Sequence, residues 1–406
     1  MTAIPVTPLR PTAPPLSVAA TLRDLTARLA HSRHYDIGFP GAVDLVFPEL
    51  AELMTGHLLN NVGDAWGDPG HGVNHTKELE REVVTTIGGL LRAPRDCWGY
   101  VTGGASEGTE HALDEAWQRY PDIVVYTSAA AHYSVAKAAR KLKLQLVIVR
   151  TDVTGRMDVA DLAGELARRR ERPAMIVATA GTTMTEAIDD VAAIREVCDD
   201  LAIIRRRIHV DAALSGVPLA LLPEDQRPAF DFAAGATSMV VSGHKFLSTL
   251  MPCGVLVYAQ SPYRNADTRV SYTGSADTTI TGSRSGHTPL ILWTVLNRVG
   301  FDGLRERAEA SRRLADYTHQ GLCRLGWDAH RNPHAFTVTL PSPPSGRLGR
   351  WVLADDGRLS HVICMPGVTV GQIDEFLTTL GHGPGRRRLL RSRAADATTA
   401  VLSPAV

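Results

Sequence analysis

The chain has 406 residues, and its 43 lysines and arginines balance 43 aspartates and glutamates. That balance leaves no global field to attract nucleic acid or a membrane surface, and no apolar run approaches the ~20 residues of a membrane helix. The length suits one large α/β domain with a smaller one attached.

Residues 1–16 are rich in proline and threonine and read as a disordered leader. Val18 to Ala30 has helical spacing of apolar residues, and His34 to Gly72 is rich in Gly, Pro, Asp and His. Within it, Leu59-Asn60-Asn61-Val62-Gly63-Asp64-Ala65-Trp66 is a polar loop of a length that is usually functional. A helix is expected from Thr76 to Leu91, with Glu78, Glu80 and Glu82 near its positive end.

Strands then alternate with helices. Gly99–Thr102, Asp122–Thr127, Leu144–Arg150, Ala174–Thr179, Arg207–Val210, Met239–Ser242 and Gly254–Ala259 read as strands. Between them, helices are expected at Ser106–Gln118, Tyr133–Leu142, Asp158–Arg170 and Asp190–Leu201. Short apolar runs separated by amphipathic helices indicate βαβ units and a mainly parallel sheet. Beyond Pro289 a helical pattern runs to Leu325, and two strands (Ala335–Leu340, His361–Cys364) and a helix (Val370–Leu380) follow. The expected division is 17–75 for the N-terminal helix and loop, 76–290 for the large domain and 291–381 for a smaller α+β domain. Residues 382–406 read as a disordered tail, whose basic run Gly385 to Arg391 is a solvated end. Cys97, Cys198, Cys253, Cys323 and Cys364 are scattered and form no CxxC pair. They argue for reduced thiols in a cytoplasmic protein and against a structural zinc site.

Four segments carry chemistry. Ser242-Gly243-His244-Lys245 puts an amine at the carboxyl end of a strand, where open α/β sheets bind ligands. Asp211 ends another apolar strand and is either a helix N-cap or the partner of a buried cation. An amine for a Schiff base and a carboxylate to keep a pyridine nitrogen protonated are what pyridoxal 5′-phosphate needs. Ala213 is small enough to let such a ring lie close to the backbone. Gly103-Gly104-Ala105-Ser106 opens a helix, whose N–H groups bind phosphate, and it lacks the glycine spacing of a dinucleotide or triphosphate site. His132 is a helix cap or a ring that stacks on a cofactor, and Thr183 is a capping residue or a donor to the cofactor's phenolic oxygen.

Together these segments resemble the group II pyridoxal-phosphate decarboxylases, in the branch holding bacterial histidine decarboxylase and plant serine decarboxylase. The stretches that carry the resemblance are Asn60–Asp64, Trp98–Gly104, His132–Lys137, Gly181–Thr183, Val210–Gly216, Ser242–Lys245, Pro252–Val255, Gly282–Arg284 and Gly286–Leu290, spread from Gly38 to Leu380. The resemblance implies the type I, aspartate-aminotransferase-like fold, with a seven-stranded sheet and a homodimer sharing its active sites. It assigns Lys245 to the Schiff base, Asp211 to the pyridinium, His132 to stacking, and Gly104, Ala105, Ser106, Ser242 and His244 to the phosphate. Gly282-Ser283-Arg284 matches the loop that reaches into the partner's site and touches the phosphate. The phosphate turn departs from relatives, its hydroxyl displaced by one residue onto Ser106, and Ala65-Trp66 replaces the usual Pro-Phe. The expected reaction is α-decarboxylation of an L-amino acid, L-histidine first. L-serine, another small or modified amino acid, and oxidative deamination to an aldehyde are the alternatives. Asn60, Asn61, Asp64 and Trp66 are the expected substrate residues, and Tyr272 and His132 the candidate proton donors to Cα. No metal is expected.

Overall fold

The computed structural model describes residues 17–262 and 269–383; the leader and the basic run 385–391 lie outside them. The strands are β1 (Trp98–Thr102), β2 (Val124–Ser128), β3 (Gln145–Val149), β4 (Ala174–Thr179), β5 (Arg206–Asp211), β6 (Ser238–Ser242) and β7 (Gly254–Tyr258). They form one sheet in the order β1-β7-β6-β5-β4-β2-β3. Only β7 runs against the rest. Every residue of β1, β2, β4, β6 and β7 is buried, as a sheet covered on both faces requires, while edge strand β3 alternates. The expected mainly parallel, seven-stranded sheet is present.

The helices are α1 (Val18–Tyr35), α2 (Ala51–Gly56), α3 (Lys77–Leu90), α4 (Ala105–Arg119), α5 (Tyr133–Lys141), α6 (Val159–Ala167), α7 (Val191–Asp200), α8 (Gly216–Ala220), α9 (His287–Arg324) and α10 (Val370–Leu380). Asp158 and Asp190 cap α6 and α7 by accepting N–H groups of the first turn, so each helix begins one residue after the expected start. The long helical pattern after Pro289 is two helices joined at Gly300, whose φ of 65° breaks the ladder. A second sheet of β10 (Thr337–Pro341), β12 (Leu359–Ile363) and the short β11 (Ala354–Asp355) packs with α9 and α10 into a separate core around Trp327, Trp351 and Phe376. Ile37, just past α1, belongs to that core. A two-stranded ribbon, β8 (Arg269–Val270) with β9 (Ser275–Ala276), was too short to read from sequence.

No described helix is long and apolar enough to cross a membrane, and no described cluster of His, Cys, Asp or Glu is arranged to hold a metal.

Candidate active site

Strand register builds the site. Thr179 pairs with Asp211 across β4 and β5, and Asp211 with Val240 across β5 and β6. The carboxyl ends of three neighbouring strands therefore converge, and the turn after β6 carries Lys245. Asp211 is 5% exposed, and its Oδ1 accepts the N–H of Ala213 at 3.1 Å. From Asp211 through Ala220 every residue is buried except Ala213, whose partly open face lies at this end of the sheet.

Burial pulls the Lys245 amine below its ordinary range, while the carboxylates of Asp211 and Glu186 pull it back up. His132 senses the same two neighbours: burial keeps its ring neutral at lower pH than usual, Asp211 opposes that and Lys245 reinforces it. His132, Asp211 and Lys245 thus lie within electrostatic reach of one another, as the sequence led one to expect. His132 is also the N-cap of α5, its Nδ1 accepting the N–H of Ser134 at 3.4 Å. The cap reading is present, with the partly buried ring beside Asp211 and Lys245.

The phosphate turn has the geometry its sequence suggests. Gly104 caps α4 without a side-chain bond, and the first N–H bonded back within the helix is that of Glu107, to the Gly104 carbonyl at 3.0 Å. The amides of Ala105 and Ser106 therefore point forward from a 15-residue helix, a ready anion site. A Cβ on Gly254 would sit 2.9 Å from the Ala105 nitrogen and 2.8 Å from Thr102 Oγ1, so glycine there keeps the cradle open. His244 is half-buried with Nδ1 beside the backbone of Cys253 at 3.2 Å, and Ser242 is buried at the end of β6. These residues fit a phosphorylated pyridine: amides for the phosphate, an amine for the aldehyde, and a buried carboxylate for the ring nitrogen.

This likeness extends to known proteins. The model of the pyridoxal-dependent decarboxylase conserved domain matches residues 75–326. The chain belongs to the pyridoxal-dependent decarboxylase family. A histidine decarboxylase of Mesorhizobium japonicum is 38% identical over 89% of this chain and 97% of its own. Serine decarboxylase 3 of rice (Oryza sativa subsp. japonica) is 34% identical over 84% of this chain and 76% of its own. Among solved structures, an L-methionine decarboxylase of Streptomyces sp. 590 superposes with a TM-score of 0.81 at 24% identity, over 91% of this chain and 98% of its own. That neighbour shows the shared type I fold. This decarboxylase is therefore a carboxy-lyase acting on an amino acid with pyridoxal phosphate.

The expected substrate wall is built differently from its sequence reading. Asn61 is fully buried: its amide donates to Glu80 at 2.7 Å, and its Oδ1 accepts the Thr76 N–H at 2.8 Å. Asp64 accepts the N–H and hydroxyl of Thr278 at 3.0 and 2.8 Å. Both residues brace the loop from within through these bonds. Trp66 donates its indole N–H to the Gly99 carbonyl and packs on the buried cluster of Trp98 and Tyr100. Asn60 is half-buried and donates to Ser283 at 3.3 Å, so these two side chains form one polar edge. Thr183 is exposed, whereas its neighbour Thr182 is buried and holds the Ala187 N–H at 2.9 Å. Tyr272 is 83% exposed on the β8–β9 ribbon.

Arg284 departs most from expectation. Its guanidinium turns inward onto Glu80, and it also donates to the carbonyls of Gly63 (2.8 Å) and Val101 (3.2 Å). The ring of Tyr100 lies 5.1 Å below it. The side chains of Arg284 and Glu80 are 3% and 0% exposed, so Glu80 is a buried counter-ion and not a solvated dipole residue. This pair locks α3, β1, the loop of Asn61 and the segment before α9 to one another.

Sequence reading missed Glu186. It is 2% exposed and lies within electrostatic reach of Lys245, yet three of its four hydrogen bonds come from Phe336 and Thr337, 150 residues or more further along the chain.

Proposed function

We propose that this decarboxylase removes the carboxylate of L-histidine to give histamine. The observation that carries this reading is the 38% identity with a histidine decarboxylase along 97% of that relative's length. Lys245 is the anchor of the cofactor, its buried amine held below its ordinary pKa range. Bound there, pyridoxal phosphate supplies an electron sink for the pair left behind by carbon dioxide.

The rest falls to the chain's own side chains. Asp211 holds a proton on the ring nitrogen from the buried end of β5. The amides of Ala105 and Ser106 take the phosphate, with Gly104 giving them access and Ser242, His244 and Ser283 placed to support it. With the cofactor bound, His132 would cover one face of its ring and keep water from it, and the small Ala213 would leave room on the other. Thr183 is free to meet the phenolic oxygen. His132 is the proposed donor to Cα, and Tyr272 is the alternative where a second chain covers the β8–β9 ribbon. For the substrate side chain, the polar edge of Asn60 and Ser283 supports an imidazole, and Tyr133, exposed with its ring 4.3 Å from that of His132, supplies an aromatic face.

A homodimer belongs to this proposal. Helix α1 buries none of its residues within its own chain and exposes Val18, Leu22, Leu25 and Leu29 as one stripe, which a second copy would cover. Five free cysteines, four of them buried, support a cytoplasmic setting.

The test is a panel of L-amino acids with carbon dioxide, amine, aldehyde and hydrogen peroxide all measured. Carbon dioxide and histamine in equal amounts support the proposal. A higher kcat/KM on L-serine, to which the rice relatives point, would replace histidine. Peroxide with an aldehyde would replace simple decarboxylation.

A further inference from the structure

Lys245 opens a turn that three side chains hold in place. The Ser248 N–H closes the turn on the Lys245 carbonyl at 3.2 Å, and the Thr249 N–H returns to the Gly243 carbonyl at 3.1 Å. Phe246, Leu247 and Ser248 are all buried. Ser248 has φ at +56°, a left-handed backbone that suits glycine and costs a serine energy.

What serine offers there and glycine lacks is a hydroxyl, and both of its bonds go to one ion pair. It donates to Asp44 Oδ1 at 2.5 Å and accepts from Arg307 Nη2 at 2.9 Å. Arg307 comes from α9 and grips both oxygens of Asp44, Nε to Oδ2 at 2.9 Å and Nη2 to Oδ1 at 2.6 Å. Its other terminal nitrogen, Nη1, donates to the carbonyl of Phe246 at 3.1 Å, the residue next to Lys245 in the chain. The guanidinium also lies 5.1 Å from the centre of the Phe246 ring. The side chains of Arg307 and Asp44 are 13% and 23% exposed, which separates this pair from solvated surface pairs of little consequence. Burial pushes the Asp44 carboxyl up, but Arg307 and Ser248 together hold it below its ordinary range. A tie between Asp44 and α9 alone would need no contact with the turn, yet three of the five bonds end on Phe246 or Ser248.

We propose that Asp44, Arg307 and Ser248 are positioning residues for Lys245. Charge-assisted bonds fix the backbone on its far side at two points, and through that backbone they fix where the amine stands. The inference rests on Lys245 being the anchor.

The experiment loads each protein with pyridoxal phosphate, dilutes it and follows the loss of visible absorbance as the cofactor leaves. It compares the wild type, Arg307→Met, Arg307→Lys and Ser248→Gly, with melting midpoints measured on the same samples. Misplacing a reacting group by about 1 Å is worth up to about a hundredfold in rate. Release should therefore quicken by roughly tenfold or more in Arg307→Met and Ser248→Gly, and by less in Arg307→Lys, which keeps the charge. Glycine suits the backbone at position 248, so Ser248→Gly decides the matter if Arg307→Met fails to fold. Wild-type release in Ser248→Gly, with at most a lower melting midpoint, would overturn the proposal and leave the three residues a structural tie. Lys245→Ala is the separate control: visible absorbance surviving in that variant would sink the anchor itself, whatever the clamp does.

Discussion

Replacing Glu80 with glutamine tests the buried lock between α3, β1 and the segment before α9. In the wild type the carboxylate accepts the Val101 N–H at 2.8 Å, the Asn61 amide at 2.7 Å and both terminal nitrogens of Arg284. Glutamine keeps the shape but removes the charge, and it turns an NH2 group toward donors. Arg284, 3% exposed, would then keep only the carbonyls of Gly63 and Val101. Stranding one partner of a buried ion pair costs about 3–5 kcal/mol. At about 2 °C per kcal/mol for a chain of this size, the melting midpoint should fall by roughly 6–10 °C. The double variant Glu80→Met with Arg284→Met removes both charges and should recover most of that loss, because apolar residues of similar volume commonly replace such pairs without cost. The assay is thermal unfolding by circular dichroism at pH 7.5, on the wild type, both single variants and the double one. A Glu80→Gln variant melting within 2 °C of wild type, or a double variant worse than either single one, would refute the reasoning.

Three further outcomes are expected. Lys245→Ala should lose both visible absorbance with pyridoxal phosphate and turnover; full turnover in that variant would remove Lys245 from the chemistry. Asp211→Asn should still bind the cofactor but lose about a hundredfold or more in kcat, since a preorganised charge at the ring nitrogen is gone; an unchanged kcat counts against the pairing. Acid should destabilise the fold through His111 and His209, which burial holds down to about 4 and about 3. The unfolded chain takes up their protons near pH 6.5 and the folded one does not, so this stability is complete above 6.5 and falls as pH drops toward 4. Asp189, held up at about 6 by burial, offsets roughly one of the two. Melting midpoints between pH 7 and 4.5 should decline, and less steeply in His209→Gln; an equal slope there would count against the assignment.

What could be read from sequence was what short-range pattern encodes. Continuous apolar runs marked β1, β2, β4, β6 and β7 because both faces of those strands are covered. The lysine, the aspartate and the glycine turn were legible because each stands at a strand's carboxyl end. Helix α8, with Pro218 inside five residues, gives too little periodicity to find. Glu80 at the start of a helix looks like any acid near a helix dipole. Only its partner at position 284 makes it a buried ion, and nothing local announces that partner. The bonds made by Asn61 and Asp64, and Glu186 altogether, escaped for the same reason: the groups they hold lie 15 to 214 residues away.

The Glu80–Arg284 lock also orders the birth of the protein. All seven strands of the large sheet are complete by Tyr258, and with them Lys245 and Asp211 are in place. The loop at Asn61 and the strand β1 must then wait for residues 275–286 to be made before their polar groups find partners. During synthesis, the nascent chain would carry a finished sheet with one wall open and an unmatched acid in its side. Contacts spanning more than 200 residues are slow to close, so the wall built from the Asn61 loop and residues 275–286 is the last part of the large domain to set.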